Sequence, residues 1–447
     1  MRWASVASME NTTGARPEAQ DREFDVVVLG ATGVAGRLIA QRLVDLETGA
    51  DGAGTARWAI AGRDPQRLQD LAQRLSRPLL PIVPADTTDP ASLRALVRRT
   101  RVLLSAAGPY LPTAEAVIGA CVEAGTSYLD LSGEIPLLRR VDDRFDSAAR
   151  DAGVSIVQMA GWEALPADVV CLVAAHRALG EQSPATGAGG DIETVDVGVR
   201  FPRLPAGGVA LKDAISGGTM GSLATQLRDR DARLIRDPAS LLPPTGDRPA
   251  VHARSPLRLL PHIQAGRVMA PAVPVAFLNP PTVHRTAALL AAAAGTAHRP
   301  ARFREGIDVG PATGTGGALR RVGAAPAAAL QRLLLTAALL PRPLRRVIAS
   351  IAIRAVPSGS GPTGAALTDW SWEVSADAAT VDGARGRAVL RGTGHPGYTA
   401  TATMIVAAAL RLAHDRDEIP TGCITPALVF GVRGAEALQG PDLQLDD

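Results

Sequence analysis

The stretch Phe24-Asp25-Val26-Val27-Val28-Leu29-Gly30-Ala31-Thr32-Gly33-Val34-Ala35-Gly36-Arg37-Leu38 decides the fold of this chain. A buried apolar strand runs into a Gly-x-x-Gly-x-x-Gly turn, and the turn runs into an amphipathic helix. This order is typical of the opening unit of a dinucleotide-binding fold, in which phosphates meet free backbone N–H groups at the positive end of the helix. Several reductase families share the spacing, so it indicates the fold class more sharply than the reaction.

Each glycine of the turn has its own predicted role. Gly30 allows the tight turn out of the strand, Gly33 lets the backbone approach the pyrophosphate, and Gly36 lets the helix pack closely on the strand. A glycine-rich turn without a ligand is the alternative, and the order of strand, turn and helix disfavours it. The predicted phosphate-binding residues are Gly30, Ala31, Thr32, Gly33, Val34 and Gly36.

The end of the second predicted strand indicates which dinucleotide binds. The second predicted strand begins at Arg57 and has Ala61-Gly62-Arg63 at its carboxyl end. An arginine at this point suits a ribose 2′-phosphate, whereas an acidic residue suits a 2′-hydroxyl. NADP(H) is therefore the predicted cofactor. Asp64 follows directly, so NAD(H) stays open as well, and a surface arginine without function is the remaining alternative.

Composition bounds the class of protein. A chain of 447 residues is long enough for two domains, and a formal net charge of +3 gives no case for a nucleic-acid partner. Cys121, Cys171 and Cys423 lack the spacing of a zinc site, and the seven histidines show no metal-ligand motif, so no metal is predicted. The stretch at 1–23 is polar and has no apolar signal region, so the sequence predicts a disordered tail and a cytoplasmic protein. Met9 is an alternative translation start.

Strands and helices alternate through the first third of the chain, which predicts a doubly wound parallel sheet. The predicted strands lie at 24–29, 57–61, 79–83, 101–105, 127–131 and 154–159. Ligands bind beyond the carboxyl ends of such strands, so the residues that follow them belong on one rim. These are 30–36, Arg63, 107–110, 132–134 and 161–163.

The loop after the fourth strand is predicted to pass the nicotinamide ribose and ring, where only small residues fit. Its predicted cofactor contacts are Ala107, Gly108 and Pro109. Tyr110 either lines the ring pocket or anchors the following helix. No Tyr-x-x-x-Lys pair occurs, which excludes the short-chain dehydrogenase mechanism, and the proton donor stays open between water, Tyr110 and Tyr398.

The motifs together resemble the saccharopine dehydrogenase-like oxidoreductases, and within them the branch of the trans-acting enoyl reductases. They are Gly-Ala-Thr-Gly-Val-Ala-Gly at 30–36, Ala-Gly-Arg at 61–63, Ala-Ala-Gly-Pro-Tyr at 106–110, Tyr-Leu-Asp-Leu-Ser-Gly-Glu at 128–134, Gly-Trp-Glu-Ala-Leu-Pro-Ala-Asp at 161–168, the Gly-Gly-Thr turn in 216–222, His-Pro-Gly-Tyr at 395–398 and Ile-Thr-Pro-Ala at 424–427. Trp162, Glu163 and His395 depart from the family's usual residues, which puts the substrate in doubt but not the fold.

The resemblance implies a Rossmann domain at 24–175, a second α+β domain at 176–395 and a C-terminal helical return at 396–447. In the second part, the sequence predicts a strand at 193–201, a helix at 216–228 and a hairpin of 368–376 with 386–394. The glycine turn at 217–219 either presents N–H groups to a substrate oxygen or simply begins the helix. The resemblance also implies reduction of an enoyl thioester of lipid or polyketide type. A saccharopine- or opine-type C–N reductase and a non-catalytic NADP-binding protein are the alternatives.

A basic and apolar segment at 330–356 raises the question of contact with a membrane. Pro341 and Pro343 interrupt it, so it is too short to span a membrane. A helix pair lying at the inner face of the plasma membrane and a buried pair capped by surface arginines fit it equally well. The sequence is also compatible with a homodimer.

Overall fold

The computed structural model describes residues 22–48, 56–180, 191–206, 217–257, 260–272, 276–355, 362, 364–440 and 442–446. Its strands are β1 (Phe24–Leu29), β2 (Trp58–Gly62), β3 (Ile82–Pro84), β4 (Thr100–Ser105), β5 (Ser127–Asp130), β6 (Ser155–Val157), β7 (Ile192–Arg203), β8 (His262–Gln264), β9 (Arg267–Ala270), β10 (Arg302–Pro311), β11 (Ser371–Thr380), β12 (Arg385–Thr393), β13 (Gly422–Ile424), β14 (Gln439–Gly440) and β15 (Leu443–Asp446).

The α-helices are α1 (Val34–Thr48), α2 (Pro65–Arg74), α3 (Pro90–Val97), α4 (Ala114–Ala124), α5 (Ile135–Asp151), α6 (Leu165–Leu179), α7 (Gly217–Arg228), α8 (Arg248–Arg254), α9 (Asn279–Ala293), α10 (Gly314–Gly323), α11 (Ala325–Ala337), α12 (Arg342–Ala355), α13 (Ala365–Thr368), α14 (Thr401–His414) and α15 (Pro426–Glu436).

The first sheet is parallel and doubly wound, with strand order β13-β6-β5-β4-β1-β2-β3. Side chains of β1 alternate between its two faces: Val26 and Val28 pack with α1 and α2, whereas Val27 and Leu29 pack with α3, α4 and α5. Because β1 has β2 on one side and β4 on the other, the strand order reverses there. The fold class predicted from the sequence is confirmed.

Two details of this sheet differ from the prediction. The third strand covers Ile82–Pro84 and not 79–83, since the amide of Leu80 bonds the carbonyl of Arg77 and Leu79 projects into solvent. A seventh strand, β13, pairs with β6 at the edge of the sheet and was not predicted. Three residues are too few to show a strand periodicity.

The second sheet has eight strands in the order β14-β15-β12-β11-β7-β10-β9-β8. Its pairs are antiparallel except β10 with β7. The predicted hairpin is confirmed as β11 and β12, and Gly383, with φ +91°, supplies the left-handed residue of its turn. Helix α6 packs on β11 and β12 and joins the cores of both sheets.

The C-terminal segment contains more than the predicted helical return. Helix α14 packs on α1, β1, β4 and β5, as the family resemblance implies. The same segment also supplies β13 to the first sheet and β14 and β15 to the second. Residues 1–21, most of the predicted tail, lie outside the described part of the chain, as do Ser216 and Val356.

Candidate functional site

The glycine turn after β1 has the geometry that its predicted role requires. Gly30 has φ +81°, and its N–H donates to the carbonyl of Ala61 at 2.9 Å. A Cβ at Gly30 would lie 2.9 Å from Cα of Ala107, so the loop after β4 passes directly against the turn. Both the backbone conformation and this close approach require glycine.

The other two glycines of the turn differ in what surrounds them. A Cβ at Gly36 would lie 2.3 Å from the carbonyl oxygen of Gly30, so α1 packs on the turn at backbone distance. A Cβ at Gly33 would meet only that same oxygen, at 3.3 Å, and otherwise open space. Helix α1 begins at Val34, so its positive end lies at this open cradle, which fits a dinucleotide pyrophosphate.

The buried side chain of Tyr110 supports the loop after β4. The N–H of Ala106 donates to the carbonyl of Leu29 at 2.8 Å, and a cis peptide joins Gly108 to Pro109. Tyr110 is buried, its ring lies under Gly108, and its hydroxyl donates to the carbonyl of Ser105 at 3.2 Å. Of the two roles open for Tyr110, the structure therefore favours the anchor.

Glu134 connects this loop to the second half of the molecule. Its buried carboxylate accepts from the backbone N–H groups of Tyr110 at 3.1 Å and Leu111 at 2.8 Å, and from the hydroxyl of Ser222 on α7 at 2.7 Å. Burial raises the pKa of Glu134, and these three donors oppose the rise. The sequence motif placed Glu134 on the rim but gave no sign of this bridge.

Asp130, at the end of β5, is a second fully buried carboxyl group. It accepts from the hydroxyl of Tyr128 at 2.8 Å and from the N–H of Ser132 at 2.9 Å. Burial raises its pKa to about 7. With these partners Asp130 orders the chain that leaves β5.

Arg63 lies exposed just beyond the end of β2. Within the described residues, no hydrogen bond or ion pair engages its guanidinium; the pKa of Asp86 is lowered mainly by hydrogen bonds from Thr88 and also by the positive charge of Arg63. Asp64 caps α2 by accepting from the N–H of Arg67 at 3.1 Å. The neighbouring carboxylate thus has a structural partner, whereas Arg63 is available to an anion.

The turn after β6 brings Trp162 and Glu163 to the same rim. The N–H of Ala160 donates to the carbonyl of Asp130 at 2.9 Å, which holds this turn beside the end of β5. The N–H of Trp162 donates to the hydroxyl of Thr401 at 3.1 Å. Glu163 is partly buried, and burial raises its pKa to about 7.

An aromatic cluster at the junction of the two sheets completes this side of the site. Its neighbouring rings lie 4.8–6.0 Å apart between centroids, and its members are Trp162, Phe201, Trp370, Trp372, His395 and Tyr398. His395 accepts from the N–H of Gly397 at 3.1 Å and caps a π-helical turn, Pro396–Ala400, that leads into α14. Sequence reasoning placed His395 near the site but did not predict the π turn.

The opposite side of the rim is formed by the start of α9. A Cβ at Gly133 would lie 2.9 Å from a methyl carbon of Leu278, and the hydroxyl of Thr282 lies 3.5 Å from the sulfur of Met159. Asn279, next to Leu278, donates its side-chain N–H to Glu305 on β10. Asn279 Oδ1 and Glu305 Oε2 are both buried acceptors without a hydrogen-bond partner in the described structure.

The protonated form of the Glu305 carboxyl group is favoured by its surroundings. Burial raises the pKa of Glu305 to about 7 from the ordinary 4.5, and the hydrogen bond from Asn279 opposes the rise. Because the folded-state pKa is the higher one, this contribution to stability is present at low pH and is lost as the pH rises through about 7.

We therefore expect Glu305→Gln to stabilise the protein at pH 8, by about 1–3 kcal/mol, and to have much less effect at pH 5. The glutamine amide donates where the acid would and does not ionise. Urea unfolding at the two pH values measures the effect, with the exposed Glu123→Gln as control. Equal effects of Glu305→Gln at both pH values would contradict this explanation.

A group of metal-ligand type also occurs in the described residues, made of Asp142, Asp146 and Cys423. Asp142 forms an ion pair with the buried Arg285, and Asp146 pairs with Arg150 and accepts from the N–H of Cys423 at 2.8 Å. Both carboxylates are already neutralised by arginine, and burial raises the pKa of the Cys423 thiol. This arrangement favours a structural role.

Comparison with known proteins agrees with this geometry. Residues 26–157 match the family model of the saccharopine dehydrogenase NADP binding domain. A Mycobacterium tuberculosis protein that carries the name of a trans-acting enoyl reductase is 32% identical, over 96% of this chain and 98% of its own. A trans-acting enoyl reductase from Mycobacterium bovis is 29% identical, over 92% and 94%. Apo saccharopine dehydrogenase (L-Glu forming) from Saccharomyces cerevisiae aligns over 94% of this chain and 99% of its own, with TM-score 0.45 and 15% identity.

The parallel sheet, the glycine cradle and the matched domain define an NADP-dependent oxidoreductase, and NADP(H) is its preferred cofactor. The chain belongs to the trans-acting enoyl reductase family of saccharopine dehydrogenase-like oxidoreductases.

Proposed function

We propose that the protein reduces the carbon–carbon double bond of an enoyl thioester that carries a lipid- or polyketide-like acyl chain. Bound NADPH supplies the hydride. The relatives named trans-acting enoyl reductases support the reaction. The apolar character of the cavity described next supports the acyl substrate over the charged substrate of a saccharopine- or opine-type reductase.

The observation that supports the substrate class is an open, solvent-facing cavity of about 440 Å³ between β9, β10, α10 and α11. Its lining is apolar apart from Arg320 and consists of Ala270, Pro271, Ile307, Val309, Arg320, Gly323, Ala324 and Ala327. An acyl chain that lies on this apolar lining gains free energy because part of its surface leaves water. A dicarboxylate substrate would need several cationic partners.

The cavity lies along the same strand as the polar pair beside the rim. Ile307 and Glu305 are two residues apart on β10 and so point to the same face of the sheet. Asn279, the partner of Glu305, adjoins Leu278, which packs at Gly133. An acyl chain in the cavity would thus place its thioester toward the carboxyl ends of β5 and β6.

We propose that NADP(H) lies across these carboxyl ends. The residues proposed to hold it are Gly30, Ala31, Thr32, Gly33, Val34 and Gly36 at the phosphates, Arg63 at the 2′-phosphate, and Ala107, Gly108 and Pro109 at the nicotinamide end. The small residues of the loop leave room for the ring and the substrate. Orientation of the two reactants and stabilisation of an enolate then provide the catalysis.

The test is NADPH oxidation with three substrate sets: enoyl thioesters of increasing chain length, imines formed from oxo acids and amines, and ketones. We expect turnover with enoyl thioesters, with the KM decreasing as the chain lengthens. Turnover with imines or ketones alone would overturn the enoyl-reductase function. A KM independent of chain length would overturn the assignment of the cavity.

A second proposal concerns helices α10, α11 and α12, which we infer to lie on an anionic lipid surface. Large apolar side chains are unusually exposed there: Leu319, Val322, Leu330, Leu333, Leu339, Leu344, Val347 and Ile351 are 42–71% exposed. Leu344, Val347 and Ile351 form one stripe along α12. No acidic residue occurs between Asp308 and Asp369, while seven arginines do. No helix of the described residues is long and apolar enough to cross a membrane.

The arginines of this surface are not equivalent. Arg342 and Arg346 are exposed, but Arg345 is buried and its guanidinium donates to the carbonyl of Asp229 at 2.6 Å. The alternative to membrane contact is a buried helix pair with arginines at its surface. Arg345 packs against the protein as that alternative requires, whereas Arg342 and Arg346 do not. Arg345 is therefore left unchanged in the experiment.

We expect the double variant Arg342→Gln, Arg346→Gln to weaken binding to vesicles containing anionic lipid by about 2 kcal/mol at low salt, since each arginine contributes about 1 kcal/mol near such a surface. Vesicle flotation measures the effect. Arg385→Gln, on the exposed β11–β12 turn, is the matched control and should bind normally. If the unmodified protein does not float with anionic vesicles at low salt, the membrane proposal is wrong.

A further inference from the structure

We propose that Glu163 is the catalytic acid that delivers the proton to the α-carbon of the substrate. This inference rests on the enoyl-reductase function proposed above and identifies the proton donor that the sequence left open.

The position of Glu163 is the first support. Its carboxylate packs against the backbone of the turn that follows β6: a Cβ at Gly161 would lie 2.6 Å from Glu163 Oε2. The negative charge of Glu163 also contributes to the raised pKa of Tyr110, whose ring lies under Gly108. The N–H of Ala160 donates to the carbonyl of Asp130, and Asp130 pairs with Ser105 at the end of β4, so the turn of Glu163 lies on the same rim as the loop of small residues.

The turn that carries Glu163 is fixed on two sides. The indole of Trp162 stacks on Phe201 of β7 with ring centroids 6.0 Å apart, and its backbone N–H donates to Thr401 at the start of α14. Glu163 therefore sits where the second sheet and the C-terminal helix meet the first sheet.

Glu163 has fewer hydrogen-bond partners than the other buried acids. Glu305, whose pKa is also raised by burial, accepts from the side chain of Asn279. Asp130, Glu134 and Asp168 each accept from at least two other residues, which fixes them in structural roles. Among the described residues, Glu163 receives only its own backbone N–H, and its pKa is raised to about 7 by burial. A carboxyl group with few partners and this pKa can hold a proton and release it.

Three other ionisable groups near the rim are engaged by neighbouring residues. Tyr110 is buried with its hydroxyl bonded to Ser105, and burial and the nearby Asp130 raise its pKa well above 10. Glu134 accepts from three donors, and Tyr398 packs against His395 in the aromatic cluster. None of these groups lies on the turn between the two sheets, as Glu163 does.

NADPH is the reductant: its nicotinamide C–H bond breaks as it becomes NADP⁺, and the hydride forms a C–H bond at the β-carbon of the substrate. The π electrons of the double bond move toward the thioester oxygen as an enolate. The enolate then forms a C–H bond at the α-carbon with the proton of Glu163, whose O–H bond breaks. Glu163 is left as a carboxylate and regains a proton from water before the next turnover.

Kinetics of Glu163→Gln and Glu163→Asp test the role. Because the acid must be protonated, we expect wild-type kcat to fall as the pH rises above about 7. Glutamine should lower kcat by roughly 10²-fold, with little change in KM, and remove this basic limb. Aspartate should restore part of the rate and the limb. A glutamine variant with wild-type kcat and pH profile would overturn the proposal.

A binding measurement separates this inference from the proposed reaction. The oxidised nicotinamide ring is positively charged and favours an ionised neighbour, so NADP⁺ binding at pH 7 should release protons from the wild-type protein. Calorimetry in buffers of different ionisation enthalpy counts them. Glu163→Gln should bind NADP⁺ with less proton release, and NADPH should cause little release in either protein. Equal release from both proteins would refute the placement of Glu163, whatever substrate is reduced.

Discussion

Gly33→Val should abolish NADPH binding while leaving the protein folded. A Cβ at Gly33 meets only the carbonyl oxygen of Gly30, at 3.3 Å, so the valine requires a backbone shift of a few tenths of an ångström and no larger rearrangement of the protein. The remaining open space there is the cradle at the positive end of α1 where we place the pyrophosphate, and filling it removes several charge-assisted hydrogen bonds. We expect a loss of at least about 3 kcal/mol, roughly 10²-fold in affinity, by titration calorimetry.

Two other glycines provide the controls. Gly36→Ala should destabilise the fold itself, because its Cβ would lie 2.3 Å from the oxygen of Gly30 and 2.7 Å from Cα of Ala31. Gly323→Val, in α10, has no atom within 4 Å of its added Cβ and should bind NADPH normally. Unchanged NADPH affinity in Gly33→Val would show that the phosphates bind elsewhere.

Arg63→Ala should weaken NADPH by roughly 1.5–3 kcal/mol and leave NADH nearly unchanged. The guanidinium of Arg63 is exposed beyond β2, and a bidentate contact with the 2′-phosphate accounts for a loss of this size. Asp64 is held as the cap of α2 and does not compete for the ribose. Binding titrations with both dinucleotides give the selectivity directly.

Arg74→Ala is the matched control, since Arg74 is exposed at the far end of α2. It should alter neither affinity. Equal losses for NADPH and NADH in Arg63→Ala would place Arg63 near a shared part of the two cofactors. No loss for either would remove Arg63 from the site.

Local sequence signals determined the nucleotide-binding half of this protein. Gly30, Gly33 and Gly36 follow an apolar strand at fixed spacing, and the steric reasons for each glycine act within a few residues of chain. The same holds for the hairpin around Gly383, where one turn sets the pairing of β11 and β12. Such features depend on residues that are close together in the chain, so they can be predicted from the sequence.

Long-range packing decided the rest. Strand β13 forms because β6 has a free edge with which it can pair. The side chain of Tyr110 is buried because its ring packs in the core and its hydroxyl bonds the carbonyl of Ser105. Arg345 is buried while Arg346 beside it is exposed, since one side of α12 packs on the molecule and the other does not. The hydrogen-bond partners of Glu134 and Glu305 come from segments distant in the chain. Glu163 has few hydrogen-bond partners. A carboxyl group's charge and pKa depend on those partners and on burial, which the residue type alone does not specify.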